Sequence, residues 1–181
     1  MDQSISASTS PTPVSVGVRY GLLFGLSWIL VDFLIRLAEF SFLKYSLITL
    51  LAALFMGVSA LVIAHRAFKQ ANGGFMSFGQ GVMISVMMML IVGVFSGVFN
   101  YVHIHYIDPE FVERFRLNMV EFMEKYNMPD EEIEKNTARI NEMKVGFVKS
   151  VLTGLGNGMG GGVILGLIVS AFTKRNPSEF E

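Results

Sequence analysis

The chain has 181 residues, 52% of them hydrophobic and only 16% charged, with a formal net charge of −1. Soluble domains carry about a quarter charged residues, and the mean hydropathy here is +0.52. The absence of cysteine excludes disulfides, thiolate metal sites and cysteine nucleophiles, and the balanced charge gives no electrostatic footprint for nucleic acid.

Residues 1–14 (MDQSISASTSPTPV) are rich in Ser, Thr and Pro without periodicity and read as a disordered tail. A cleaved signal peptide is not expected, since no basic segment precedes the first apolar stretch and no small-residue cleavage site follows it. Runs of about 20 apolar residues, enough to cross a bilayer as a helix, then recur near Val16–Ile35, Leu47–Ala64, Gly79–Val102 and Val151–Phe172. Short polar joints separate the first three. In the second joint Asn72-Gly73-Gly74 signals a turn, and Ser77 is placed to cap the third span.

A charged insert, residues 107–146, precedes the fourth span. Phe111, Phe115, Met119, Phe122 and Tyr126 recur at helical spacing within it. Asp108-Pro109 breaks the third span, with Asp108 expected to cap the helix that follows. Pro129, followed by Asp130, Glu131 and Glu132, opens a second helix, because proline suits a first turn and acids complement its dipole. That helix, with a thin stripe of Ile133, Thr137 and Ile140, is expected to reach about Lys144. The insert therefore reads as an amphipathic helical hairpin on the membrane surface.

Four spans place both termini on one side. With that side cytoplasmic, Arg19, Arg66, Lys69, Lys174 and Arg175 lie inside, against Arg36, Lys44 and seven more bases from Arg114 to Lys149 outside. The raw count opposes this orientation. The acid-free joint at Arg66 and Lys69 and the bases abutting the last span favour it, and an insert resembling a small domain translocates despite its charge. Cytoplasmic termini are the expectation.

The strongest local signal is a small residue at every fourth position of the fourth span: Ser150, Gly154, Gly158, Gly162, Gly166 and Ser170. Lipid gives helices no hydrophobic reason to associate, so such GxxxG-type faces serve close backbone approach. Gly17, Gly21 and Gly25 repeat the spacing in the first span, and Gly93 and Gly97 in the third. Four residues overshoot a helical turn by about 40°, so the long stripe winds round its helix. It calls for a partner crossing at a right-handed angle, or for several neighbours. Those contacts either hold one four-helix bundle together or include a homo-oligomer interface. Gly156-Asn157-Gly158-Met159-Gly160-Gly161 matches a dinucleotide fingerprint, but that motif needs a strand before it and a βαβ unit around it; here it lies within a span.

Few residues carry chemistry. Asp32 and Arg36 are ionisable, lie inside a span and are spaced to pair along one helix face. Asn100, His103 and Lys149 fall at similar depth, which makes a polar cluster near one membrane face. Against a functional role stands a structural ion pair reaching toward the interface. His103, His105 and Asp108 have the residue types of a divalent-metal site, against which stands simple anchoring of the helix end by interfacial His and Tyr. Below the cluster, Asn157, Ser85 and Gln80 are too sparse to make a polar path among Met83, Met87, Met88 and Met89. No nucleophile–histidine–acid set is suggested, so no catalytic residues, cofactor or resident metal are expected.

The runs KQANGGFMSFGQG (Lys69–Gly81) and YIDPEF (Tyr106–Phe111), with a long apolar span between them and a glycine-rich last span, resemble an uncharacterised family of four-span bacterial inner-membrane proteins. The resemblance covers most of the chain, from about Val16 to Lys174. It implies architecture and location and no activity.

The sequence thus predicts an all-α polytopic membrane protein. Spans 1–3 occupy 15–106, the extramembrane hairpin 107–146, helix 4 147–175 and a short tail 176–181. The expected function is that of a non-enzymatic component in the lipid bilayer, associating with itself or with a membrane-protein partner and not with nucleic acid. The alternative is a small transporter, channel or transporter subunit that uses the polar cluster.

Overall fold

The computed structural model describes residues 11–141 and 144–176. Among these, six α-helices and no β-strand are found: α1 (Pro13–Leu37), α2 (Phe42–Ala71), α3 (Phe78–Val102), α4 (Phe111–Lys125), α5 (Asp130–Asn141) and α6 (Phe147–Thr173). α1, α2, α6 and α3 with its extension to Ile107 are long and apolar enough to cross a membrane, so the chain is a multi-pass membrane protein. Of the tails expected over 1–14 and 176–181, residues 1–10 and 177–181 lie outside the described residues. Pro13 and Val14 already belong to α1.

Local chemistry accounts for the helix ends. Thr12 accepts a hydrogen bond from the Ser15 amide (3.1 Å), and Pro13 fills the first turn, where a missing N–H costs nothing. Gly73 and Gly74, at φ +63° and +90°, turn the chain after α2. Ser77 and Gln80 form a reciprocal capping box at the start of α3. α3 does not stop cleanly: His103–Ile107 continue it as a π-helical turn. Asp108 is not the cap of α4. Glu110 precedes that helix without a side-chain bond, while the Asp108 carboxylate accepts from Arg114. α5 ends at Asn141, and α6 starts afresh after Gly146.

The spans are arranged around α3. α1 runs parallel to it: the Gly17 Cα faces Ile84 and Met87, Gly21 faces Met88 and Ile91, and Gly25 faces Phe95. α6 runs antiparallel along an adjoining face, pairing Ser150 with Gly97, Gly154 with Gly93, Gly158 with Met89, Gly166 with Ser85 and Ser170 with Gly81. The whole stripe on α6 therefore meets one neighbour. This works because α3 repeats the same four-residue period through Gly81, Ser85, Met89, Gly93 and Gly97, so the two stripes wind together. A side chain built at Gly93 or Gly154 would run into the other's backbone carbonyl.

α2 behaves differently. All its buried residues (Gly57, Leu61, Ala64, His65 and Phe68) lie in its second half, and residues 42–56 include none. One end of the bundle is therefore sealed by a core of Leu61, Phe68, Met76, Ile84 and Met88. At that end the chain closes on itself, since Met76 and Arg175 exchange both backbone hydrogen bonds at 2.9 Å and Lys69 Nζ donates to the Thr173 carbonyl. At the other end α2 stands off. A second, smaller core there joins α4 and α5 to the start of α2 and the end of α3, through Phe111, Val112, Met119 and Ile140 against Phe42, Tyr45 and Ile104.

Candidate functional site

Where the first half of α2 stands off, a cleft of about 500 Å³ enters the bundle between α1, α2, α3 and α6. Trp28, Asp32, Tyr45, Asn100, Ser150 and Asn157 line it, with the basic residues Arg36, Arg139 and Lys149 around its mouth. A lower chamber of about 270 Å³ adjoins it and shares Trp28, Ser96, Gly154 and Asn157 with it. The chamber walls are apolar or small: Phe24, Ala53, Met89, Val92, Gly161 and Leu165. From Lys149 to Leu165 is sixteen residues of α6, or about 24 Å. Below lie Leu61, Ile84 and Met88, all fully buried. The cleft is blind.

Arg36 organises the upper wall. It sits in the last turn of α1, where a cation offsets the helix dipole. Its Nε donates to Asp32 Oδ2 at 3.1 Å and its Nη2 to Asn100 Oδ1 at 3.3 Å. Nη1 lies 3.4 Å from His103 Nδ1. A guanidinium has only donors, so Nδ1 accepts there and the imidazole carries its proton on Nε2. The guanidinium carbon also stands 4.8 Å from the Phe111 ring centre and 5.4 Å from that of Phe99. Both members of the Asp32–Arg36 pair are largely withdrawn from solvent. A buried pair survives only when its remaining hydrogen-bonding positions are filled, and Asn100, His103 and the rings do that for Arg36.

The structure brings Asp32, Arg36, Asn100 and His103 into one hydrogen-bonded group. His103 is at its back, 1% exposed and packed among Phe33, Phe99 and Phe111. Lys149 touches none of these but stands across the cleft from them. The set His103, His105 and Asp108 is not brought together. His105 stacks outward on Tyr101 at 4.2 Å, Asp108 pairs with Arg114, and among the described residues no group of three such ligands converges. Beyond the candidate spans, Asp108 holds the Arg114 guanidinium above its ordinary pKa, chiefly through their hydrogen bond, and Arg116 likewise lowers that of Glu113.

Two features were hidden from sequence reasoning. Arg139 reaches the mouth of the cleft from α5, in an insert with no sequence signal of where it folds back. The second is at the sealed end, where His65 Nδ1 lies 2.8 Å from Thr173 Oγ1 and Nε2 lies 3.0 Å from the Gly81 carbonyl and 3.3 Å from Ser85 Oγ. His65 and Ser85 are wholly buried, and the group ties α2, α3 and α6 together.

No curated protein and no solved structure matches this chain. A model for a family of proteins of unknown function, DUF4199, matches residues 19–175. That match takes in the insert, both walls of the cleft and all of the spans but the first turns of α1, and the chain belongs to the DUF4199 family.

Proposed function

We propose that this is a non-enzymatic protein of the bacterial inner membrane that holds a ligand in the blind cleft, as a binding component or a transporter subunit. The observation that carries this reading is the cleft itself: a polar-walled recess beside residues 42–56 of α2, none of which is fully buried. Asn157, about 12 Å below Lys149 along α6, is exposed in that recess and has no side-chain partner among the described residues. An unpartnered amide at that depth is costly in lipid, and such residues usually face a cavity or a partner. The closed floor favours holding a ligand over conducting one. Cytoplasmic termini are supported by Arg66, Lys69, Lys174 and Arg175, which gather at the sealed end.

Association with another protein is a second reading. The stripes that motivate it in the sequence are occupied within the chain, but Gly156 and Gly160 form another four-residue pair with nothing near either Cα. That pair could admit a second membrane helix.

The absence of cysteine allows a direct test. Thr153→Cys and Asn157→Cys should react with a bulky hydrophilic maleimide in the full chain purified in detergent and stripped of lipid. Leu167→Cys, facing outward, and Ser85→Cys, sealed in the core, should not. If Asn157→Cys is as inert as those controls, the cleft is closed to water and the reading fails.

A further inference from the structure

Resting on that reading of the cleft, we propose that its ligand is a single anionic lipid, with the headgroup at the basic mouth and one acyl chain in the lower chamber. Polarity changes along the cleft as it does along a lipid. The upper part holds the ionisable groups and Asn100. Ser96 and Asn157 lie where the two parts meet, and the lower chamber is otherwise walled by Phe24, Trp28, Ala53, Met89, Val92 and Leu165 with glycines. Charge selects the headgroup. The lining carries Arg36, Arg139 and Lys149 against Asp32 alone, a formal balance of 3 − 1 = +2 among the described residues. Because Arg36 already engages Asp32, the exposed charge at the mouth is that of Arg139 and Lys149. Basic pockets between membrane helices are a recurrent means of holding anionic headgroups.

Depth and access fit as well. Gly158 and Gly161 of the chamber lie about 14–18 Å below Lys149 along α6, and one leaflet of hydrocarbon is about 15 Å thick. The stand-off of α2 leaves a lateral way in from that leaflet, so a lipid would not have to leave the membrane. A free anion would use only the mouth and would leave the apolar chamber without an occupant.

The test uses the full chain, purified in detergent, with three probes: dioleoyl-phosphatidylglycerol, dioleoyl-phosphatidylcholine and glycerol 3-phosphate. Native mass spectrometry reads the lipid retained, and thermal melting reads stabilisation. The phosphatidylglycerol should be retained and should raise the melting temperature, with phosphatidylcholine and glycerol phosphate far behind. Arg139→Gln with Lys149→Gln should weaken its retention by roughly thirtyfold, from the usual worth of two basic groups at a membrane surface. Gly161→Leu fills the chamber from a position whose Cβ meets nothing within 4 Å. It should abolish retention without lowering the lipid-free melting temperature, and Ala53→Leu should do the same from the facing helix. Equal retention of phosphatidylcholine would overturn the headgroup assignment. Stabilisation by glycerol phosphate that survives Gly161→Leu would overturn the lipid and leave a soluble anion in the cleft. If no probe binds while Asn157→Cys still labels, the lipid inference fails and the cleft stands. An Asn157→Cys that stays unlabelled in the lipid-stripped protein removes both.

Discussion

Replacing Gly97 with alanine adds one methyl group at a close approach of α3 and α6. Its Cβ would stand 2.7 Å from both the Ser150 carbonyl oxygen and the Val151 Cα, where ordinary contact begins at 3.4 Å. Both obstacles are helix backbone, so relief requires the helices to part by 3.4 − 2.7 = 0.7 Å. A gap of that size forfeits about a quarter to a half of the dispersion attraction between facing atoms, and overpacking of this kind costs about 1–3 kcal/mol. The same shift stretches the bond from Ser150 Oγ to the Gly97 carbonyl from 2.9 Å to 2.9 + 0.7 = 3.6 Å. That is too long for a hydrogen bond, and such bonds within membranes are worth about 0.6 kcal/mol. The total is roughly 2–4 kcal/mol of destabilisation. Gly160→Ala meets no atom within 4 Å and should gain helix propensity of at most about 1 kcal/mol. Reversible unfolding in mixed micelles titrated with sodium dodecyl sulfate would measure both. If the two variants unfold alike, α3 and α6 do not meet at Gly97, and the account of the stripe is wrong.

Ser150→Ala should cost about 0.6 kcal/mol, and its effect should shrink in the Gly97→Ala background, where the bond to the Gly97 carbonyl is already broken; additive effects would mean the two are not coupled. Asp32→Asn and Arg36→Gln should each cost about 3 kcal/mol by leaving a buried charge unpaired, and the double variant should cost less than the sum. Unfolding of all three measures the coupling, and strict additivity would place the pair in water. Glu113, held below its ordinary pKa of 4.5 by Arg116, adds stability to α4 above that pH and loses it as pH falls. Hydrogen exchange of the α4 amides should therefore quicken on acidification in the wild type and respond less in Glu113→Gln.

The four spans were legible because each needs only a long apolar run, and their order along the chain sets an alternating direction. Periodicity also exposed Gly17, Gly21 and Gly25 and the long stripe on α6. What spacing withholds is the partner, since a four-residue period states that a helix must be approached closely but not by what. Only once α3 is seen to carry the same period does one neighbour account for the whole stripe. The group of Asp32, Arg36, Asn100 and His103 was legible from depth alone, because residues at matching levels of adjacent spans have few places to go. The role of Arg139 depends on how α5 packs against α4, a tertiary fact with no local signature. Nothing in the spacing marks His65, since its partners Gly81, Ser85 and Thr173 come from two other helices.

The central position of α3 has a consequence for how the protein is made. α1 precedes α3 and can cover one of its faces at once, but α6 begins only 147 − 102 = 45 residues after α3 ends. At ordinary translation speeds that is a wait of at least about 2–9 s. Throughout it, Gly81, Gly93 and Gly97 lie bare in the bilayer, open to the α3 of another nascent copy or to any helix with a small-residue face. The intervening segment between Ile107 and Phe147 thus acts as a timer. Its length sets how long the central helix remains promiscuous before its own last helix arrives.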